Sequence, residues 1–254
     1  MLNLIRSEVL KIRSTQVWFW MLVLVVAITL AATLGTVLTI DTNPAAEADV
    51  NYFSVWTNFG VAGVALVVLG LLGLTTEFRH KTITPTLLAN PGRWQLLIGK
   101  ALAYVVFAIP YGLACLVVNL VVALICLNAK GIPIHFSDGS VEGMVRNFVA
   151  LILLAFFGLG LGALIRNQAA GMVVGILYLS VLNIFFAGIP GLRRVYLFEP
   201  AGALNAFTSR DRNNYGLNDD VIHVSPVAGG VILLVWCLIV LVAGGYLSLN
   251  RDIS

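Results

Sequence analysis

The chain has 254 residues, of which 59% are hydrophobic and only 11% charged, against roughly 25% charged in an ordinary soluble domain. A net charge of +3 is too small to mark a nucleic-acid-binding surface. The three cysteines, Cys115, Cys126 and Cys237, all fall in apolar stretches and offer neither a disulfide framework nor metal-ligand spacing.

Stretches free of Asp, Glu, Lys and Arg cover 14–40, 50–76, 101–129, 147–165, 167–192 and 221–250. A helix needs about 20 apolar residues to cross ~30 Å of hydrocarbon. The pattern therefore predicts an all-α, polytopic membrane protein with six transmembrane helices, at about 17–40, 57–76, 102–127, 147–165, 169–188 and 227–249. The stretches between these spans are too short for an independent soluble domain.

In chain order, residues 2–13 carry Leu2, Ile5, Val9 and Ile12 at helical spacing, with Arg6, Lys11 and Arg13 elsewhere. That pattern predicts a basic amphipathic helix lying in the membrane interface. The first apolar run is too long for the core of a signal peptide and reads as a retained span. Span 2 is followed by a charged stretch, 77–100. Within it Thr84-Pro85 suits the start of a short helix. Leu87 and Leu88 are its apolar residues, and Asn90-Pro91-Gly92 ends it. Pro110 falls inside span 3 and predicts a kink. Gly171-Met-Val-Val-Gly175 is a GxxxG pattern, which permits two helix backbones to approach closely. Residues 189–226 form the longest segment between spans. Trp236 sits mid-span, away from the interfacial levels that tryptophan favours.

The expected orientation follows the basic residues. One face would carry Arg6, Lys11, Arg13, Arg79, Lys81, Arg93, Lys100, Arg166 and Arg251. The other would carry Lys130, Arg146, Arg193, Arg194, Arg210 and Arg212. The excess on the first face places both termini in the cytoplasm.

Chemistry-bearing motifs are sparse. His80, His135 and His223 lie in separate loops without paired carboxylates, so no catalytic or metal site is expected. No phosphate-binding loop occurs; Gly99-Lys100 lacks its flanking residues. The polar residues deep in the spans are Thr29, Thr33, Thr36, Asn119 and Asn183. A proton-driven carrier would place a carboxylate there, so energy is expected to come from another chain.

Glu77-Phe78-Arg79, Thr82, Thr86-Leu87-Leu88, Pro91, Arg93 and Lys100 together resemble the loop between spans 2 and 3 of type-2 ABC exporter permeases. Ser7-Glu8-Val9-Leu10-Lys11 followed by Trp18 is similar to that family's interfacial elbow helix. Asn250-Arg251-Asp252-Ile253 is similar to its C-terminal tail, with Asn in place of the first Arg. The resemblance implies a permease subunit of the bacterial plasma membrane that pairs with a second copy or a paralogue. It further implies docking on two separate ABC ATPase subunits, which would bind the ATP and Mg; this chain would bind no cofactor itself. By position, 85–90 would be the cytoplasmic coupling helix, with Pro85, Leu87, Leu88, Pro91 and Arg93 in the docking loop and Glu77, Arg79 and Thr82 supporting it.

The expected function is ATP-driven export of a hydrophobic or amphiphilic compound, such as a drug, an antibiotic peptide or a lipid-like molecule. Asn119, Asn183, Phe185 and Phe186 are the candidate substrate-path residues. A non-transporting scaffold or sensor subunit is the alternative. A lipid-modifying membrane enzyme has less support, because it needs clustered acids or histidines at one interface.

Overall fold

The computed structural model describes residues 2–40, 55–82, 93–132, 139–165, 167–179, 193–196, 198–209 and 224–249. Its helices are α1 (Leu2–Ser14), α2 (Val17–Leu38), α3 (Gly60–Arg79), α4 (Arg93–Ala129), α5 (Ser140–Leu164), α6 (Gln168–Leu177), α7 (Arg193–Tyr196), α8 (Pro200–Thr208) and α9 (Pro226–Leu249). No strand occurs among the described residues.

Five of these helices, α2, α3, α4, α5 and α9, are long and apolar enough to cross a membrane. A multi-pass membrane protein fits that inventory. At 1.5 Å per residue, the 22 residues of α2 reach about 33 Å, close to the hydrocarbon thickness. The 37 residues of α4 reach about 55 Å, more than a single crossing needs. Its charged residues, Arg93 and Lys100, stand in its first eight residues, and the helix runs on through Pro110.

Helix α3 packs most extensively on α5, and α5 also packs on α9. Glycines allow the α3–α5 approach: a Cβ on Gly162 would lie 2.5 Å from the Leu71 carbonyl oxygen, and one on Gly70 would meet the Ala155 carbonyl. Helix α2 packs mainly on α4, and the Tyr111 hydroxyl donates to the Trp18 carbonyl across that contact at 2.7 Å. Lipid-like exposure marks the outer faces of α2, α4 and α9, where Leu24, Leu113, Val117, Leu238 and Ile239 are exposed.

The GxxxG residues are used inside the chain. Gly171 meets Leu71 and Gly175 meets Val67, so this small-residue face of α6 seats on α3. Of the expected fifth span, 169–188, helix α6 covers nine residues, 169–177, and 180–192 lie outside the described residues.

The helices alternate in direction. The starts of α4 and α6 and the end of α3 lie beside α1, at what we term the N-terminal face, through Lys11–Glu77, Lys100–Glu8 and Arg79–Gln168 contacts. The distal face holds the end of α2. There the Lys130 ammonium, just past α4, donates to the carbonyls of Val37, Leu38 and Ile40 at 2.9, 3.1 and 2.8 Å, which neutralises the negative end of that helix. Helix α9 begins distally, where Gly229 touches Ala203 and Ala206 of α8. It ends at the N-terminal face, where Gly245 touches Trp94 and Leu97.

Candidate functional site

Helix α1 does not present a purely apolar face to the bundle. Leu4, Ile5, Val9 and Ile12 are partly buried, and at the centre of that face Glu8 is buried, with 3% of its surface exposed. The approach is close because position 99 is glycine: a Cβ there would lie 2.7 Å from a Leu4 methyl. One residue further, Lys100 faces Glu8.

The third component is Glu77, near the end of α3. Its place is fixed by how that helix terminates. Thr82 N–H donates to the Glu77 carbonyl at 3.0 Å and Lys81 N–H to the Phe78 carbonyl at 3.3 Å, while Lys81 takes the left-handed conformation at φ 54°. This is a Schellman closure with lysine where glycine is usual.

Four charges meet here. Lys100 donates to Glu8 Oε2 at 2.6 Å and to Glu77 Oε1 at 2.7 Å. Lys11 donates to Glu8 Oε1 at 2.8 Å and to Glu77 Oε1 at 3.0 Å. The Lys100 side chain is 2% exposed and that of Lys11 47% exposed. Two acids and two bases sum to zero, which is what makes this burial tolerable: an unpaired charge at these positions would cost several kcal/mol. Burial pushes the Glu8 carboxyl upward, but the charges and hydrogen bonds of Lys100 and Lys11 outweigh it and hold it below its usual value. For Lys11 burial acts downward, and Glu8 and Glu77 together hold it above its usual value.

The knot is incompletely satisfied. Glu77 Oε1 accepts from both lysines, while Glu77 Oε2 is buried without a hydrogen-bond partner among the described residues. A cavity of about 480 Å³ adjoins the knot, lined by the four charged side chains, His80, Thr82 and Gln168 together with the apolar Ile12, Val17, Leu69 and Leu72.

A second polar group lies distally, just before α8. Glu199 is 9% exposed, and the Tyr178 hydroxyl donates to its Oε2 at 3.5 Å, while Oε1 has no partner among the described residues. Desolvation pushes this carboxyl up to about 7. The adjoining Phe198 carbonyl accepts from Trp236 Nε1 at 2.8 Å, which gives that mid-span tryptophan its role.

The sequence-predicted residues divide. Glu77 is in the knot. Arg79 is exposed and donates to Gln168 Oε1 at 3.1 Å, and Thr82 lines the cavity. Arg93 begins α4. Pro85, Leu87, Leu88 and Pro91 lie outside the described residues, as do Asn183, Phe185 and Phe186. Asn119 is 1% exposed. Its carboxamide oxygen lies 2.7 Å from the Thr33 hydroxyl and its nitrogen donates to the Trp56 carbonyl at 3.4 Å, which ties α4 to α2.

Sequence reasoning did not bring Glu8, Lys11 and Lys100 together. One signal was available: Glu8 stands four residues after Leu4 and four before Ile12, in the middle of the apolar stripe. Among the described residues no group of three or more His, Cys, Asp or Glu is placed to hold a metal. Comparison with protein-family models and with curated proteins returns no match.

Proposed function

We propose that this chain is the membrane subunit of an ATP-driven ABC exporter, with six crossings, α1 as its interfacial elbow helix and both termini in the cytoplasm of a bacterium. It works as a dimer on two separately encoded ATPase subunits, which hold the ATP and Mg, and moves a hydrophobic or amphiphilic compound across the plasma membrane. The observation that carries this reading is the four-charge knot. Glu77 and Lys100 stand on either side of the segment 83–92, and they are bonded to each other and to α1. A push on that segment by an ATPase would therefore move the N-terminal-face ends of α1, α3 and α4 together.

Two further observations support it. The chain is at the N-terminal face at Gln168 and at the distal face by α8, where Arg146 Nη1 donates to the Ser209 carbonyl at 3.4 Å. That reversal favours the proposed sixth crossing between them. Among the described residues the buried charged side chains are Glu8, Glu77, Lys100 and Glu199: Glu8 lies in the short helix α1, Glu77 and Lys100 toward the N-terminal-face ends of α3 and α4, and Glu199 in a connection. That placement favours energy delivered from outside the spans over an ion-binding carboxylate at mid-depth.

Purification from the native membrane tests the proposal. The chain should bring with it an ATPase bearing a phosphate-binding loop, two ATPase copies per two permease copies. A lone chain that moves substrate on a proton gradient, with ATPase absent, would refute it.

A further inference from the structure

We propose that α7 and α8 form a lid over the first half of α9, and that the Glu199 carboxyl is a proton-operated latch that keeps the lid shut. The lid sits close. A Cβ on Gly229 would stand 2.8 Å from the Ala206 methyl and 2.9 Å from the Ala203 carbonyl oxygen, and one on Gly230 would stand 2.8 Å from the Phe207 ring. Further along α9, Trp236 Nε1 donates to the Phe198 carbonyl at 2.8 Å. Helix α8 therefore runs back along α9, with Glu199 at the Trp236 end. Helix α7 belongs to the same unit, because Asn205 Nδ2 donates to the Tyr196 hydroxyl. At the other end of α8, Arg146 Nη1 donates to the Ser209 carbonyl at 3.4 Å and anchors the lid to α5.

The latch is the one ionisable contact at the Trp236 end. Glu199 is 9% exposed. Its Oε2 receives only the Tyr178 hydroxyl, at 3.5 Å, and its Oε1 has no partner among the described residues. The titratable groups facing it are Tyr178 from α6 and Tyr196 from α7. Helix α8 carries no charged side chain, and neither does α9, whose Cys237 thiol is committed to the Leu153 carbonyl of α5. Among the described residues no Lys, Arg or His pairs with Glu199, whereas Glu8 meets two lysines in the knot. A buried carboxylate with one long hydrogen bond and no counter-ion costs far more than its neutral acid, so the closed lid holds Glu199 protonated. Desolvation accordingly raises this carboxyl from 4.5 to about 7. Opening returns it to water, where it ionises at its ordinary value. Closure and proton binding are thus linked: the lid is held shut at low pH and loosens as pH rises through the raised value. Ala203 shares one apolar cluster with Leu153, Phe157 and Leu233, so opening uncovers an apolar groove between α5 and α9. The proton stays on the lid and drives no transport, so failure of the lid and failure of the exporter reading are separable.

Hydrogen–deuterium exchange of the purified full chain in detergent, corrected for the intrinsic pH dependence of amide exchange, tests the lid at about pH 5.5 and about pH 8. Protection of the α8 amides should fall on the order of tenfold or more between the two, since each unit by which closed and open forms differ in pKa is tenfold in the equilibrium. The α5 amides should hardly change. In Glu199→Gln, neutral at both pH values, α8 protection should be the same at each. Tyr178→Phe removes the one donor to the carboxylate, so the midpoint of the fall should move to higher pH. Trp236→Phe removes the donor to Phe198 and should loosen α8 at both pH values while leaving the pH dependence in place, a readout that stands even if Glu199→Gln does not fold. Wild-type α8 protection that ignores pH would overturn the proposal, as would a fall that survives Glu199→Gln or a midpoint that Tyr178→Phe leaves unmoved. An equal fall in α5 and α8 would signal general loosening of the chain and would also overturn it, as would α8 protection unchanged in Trp236→Phe.

Discussion

Replacing Lys100 by Met removes the one fully buried base of the knot while keeping a similar length and apolar stem. Its ammonium sits 2.6 and 2.7 Å from two carboxylates. At an effective dielectric of ~20, each contact is worth about 6 kcal/mol before desolvation. Desolvation of the ions offsets much of that, and breaking a buried pair by deleting one partner typically costs ~3–5 kcal/mol. At roughly 2–4 °C per kcal/mol for a chain of this size, Lys100→Met should lower Tm by about 10 °C. The assay is thermal unfolding in detergent, followed with a thiol-reactive dye, because Cys115 and Cys237 are buried in the folded chain. Lys11→Met is the comparison. It removes two contacts of similar length, but its side chain is 47% exposed, so water offsets part of the loss, and Lys100 still bonds both carboxylates; the drop in Tm should be smaller than for Lys100→Met. Adding Glu8→Gln to Lys100→Met should cost less than the two single changes combined, since it removes a carboxylate already stranded. If Lys100→Met and Lys11→Met lowered Tm equally, or if neither did, the knot would not be the structural centre described here.

Cysteines placed at Asn43 and Asn214, in a background lacking the native three, should react with an impermeant thiol reagent from outside intact cells, and one at Asn167 should not; the reverse pattern would invert the orientation. Because the Glu199 carboxyl is raised to about 7 from 4.5, the folded chain binds the extra proton between those values. Stability should therefore fall as pH rises from 4.5 to about 7 and level off above. In Glu199→Gln that part of the Tm–pH dependence should vanish, and an unchanged profile would show that Glu199 is not its source. In the knot, Glu8 titrates below its usual value, so its stabilisation is present above pH 4.5 and is lost as pH falls through the lowered pKa. Lys11 titrates above its usual value, so its stabilisation is present below pH 10.5 and is lost as pH rises through the raised pKa.

The helical framework was legible because membrane spans announce themselves by length and hydropathy, and five of the expected spans are present as helices. The start of α4 was not. Arg93 and Lys100 interrupt the apolar pattern, and charge there reads as loop; the helix runs through because Glu8 and Glu77 neutralise Lys100. Glu8 was hidden for a related reason. A stripe read by hydrophobicity alone assigns an acid in its middle to no face, yet a partner across the interface makes it the most buried polar residue of α1. Pairing of this kind connects residues 92 positions apart, and periodicity carries no information at that separation. Glu77 was singled out by its neighbours in sequence, while its orphaned second oxygen and the cavity adjoining the knot arise only from packing. The GxxxG of α6 illustrates the converse: the pattern was visible, and packing decided that its partner is Leu71 and Val67 of the same chain.

The segment 83–92 carries the central claim, and Leu87 and Leu88 are where it is most directly tested. If both enter a groove of an ATPase, Leu87→Asp with Leu88→Asp puts two charges into a desolvated contact. Charging a central anchor of an interface commonly costs ~2 kcal/mol or more, about 30-fold in affinity. The measurement is recovery of the ATPase in pull-downs of the double variant, with Arg210→Ala as the control. The double variant should reach the membrane at normal levels and lose the ATPase, while the control retains it. Undiminished ATPase recovery with the double variant would contradict the coupling role, and with it the assignment of this chain as an exporter subunit.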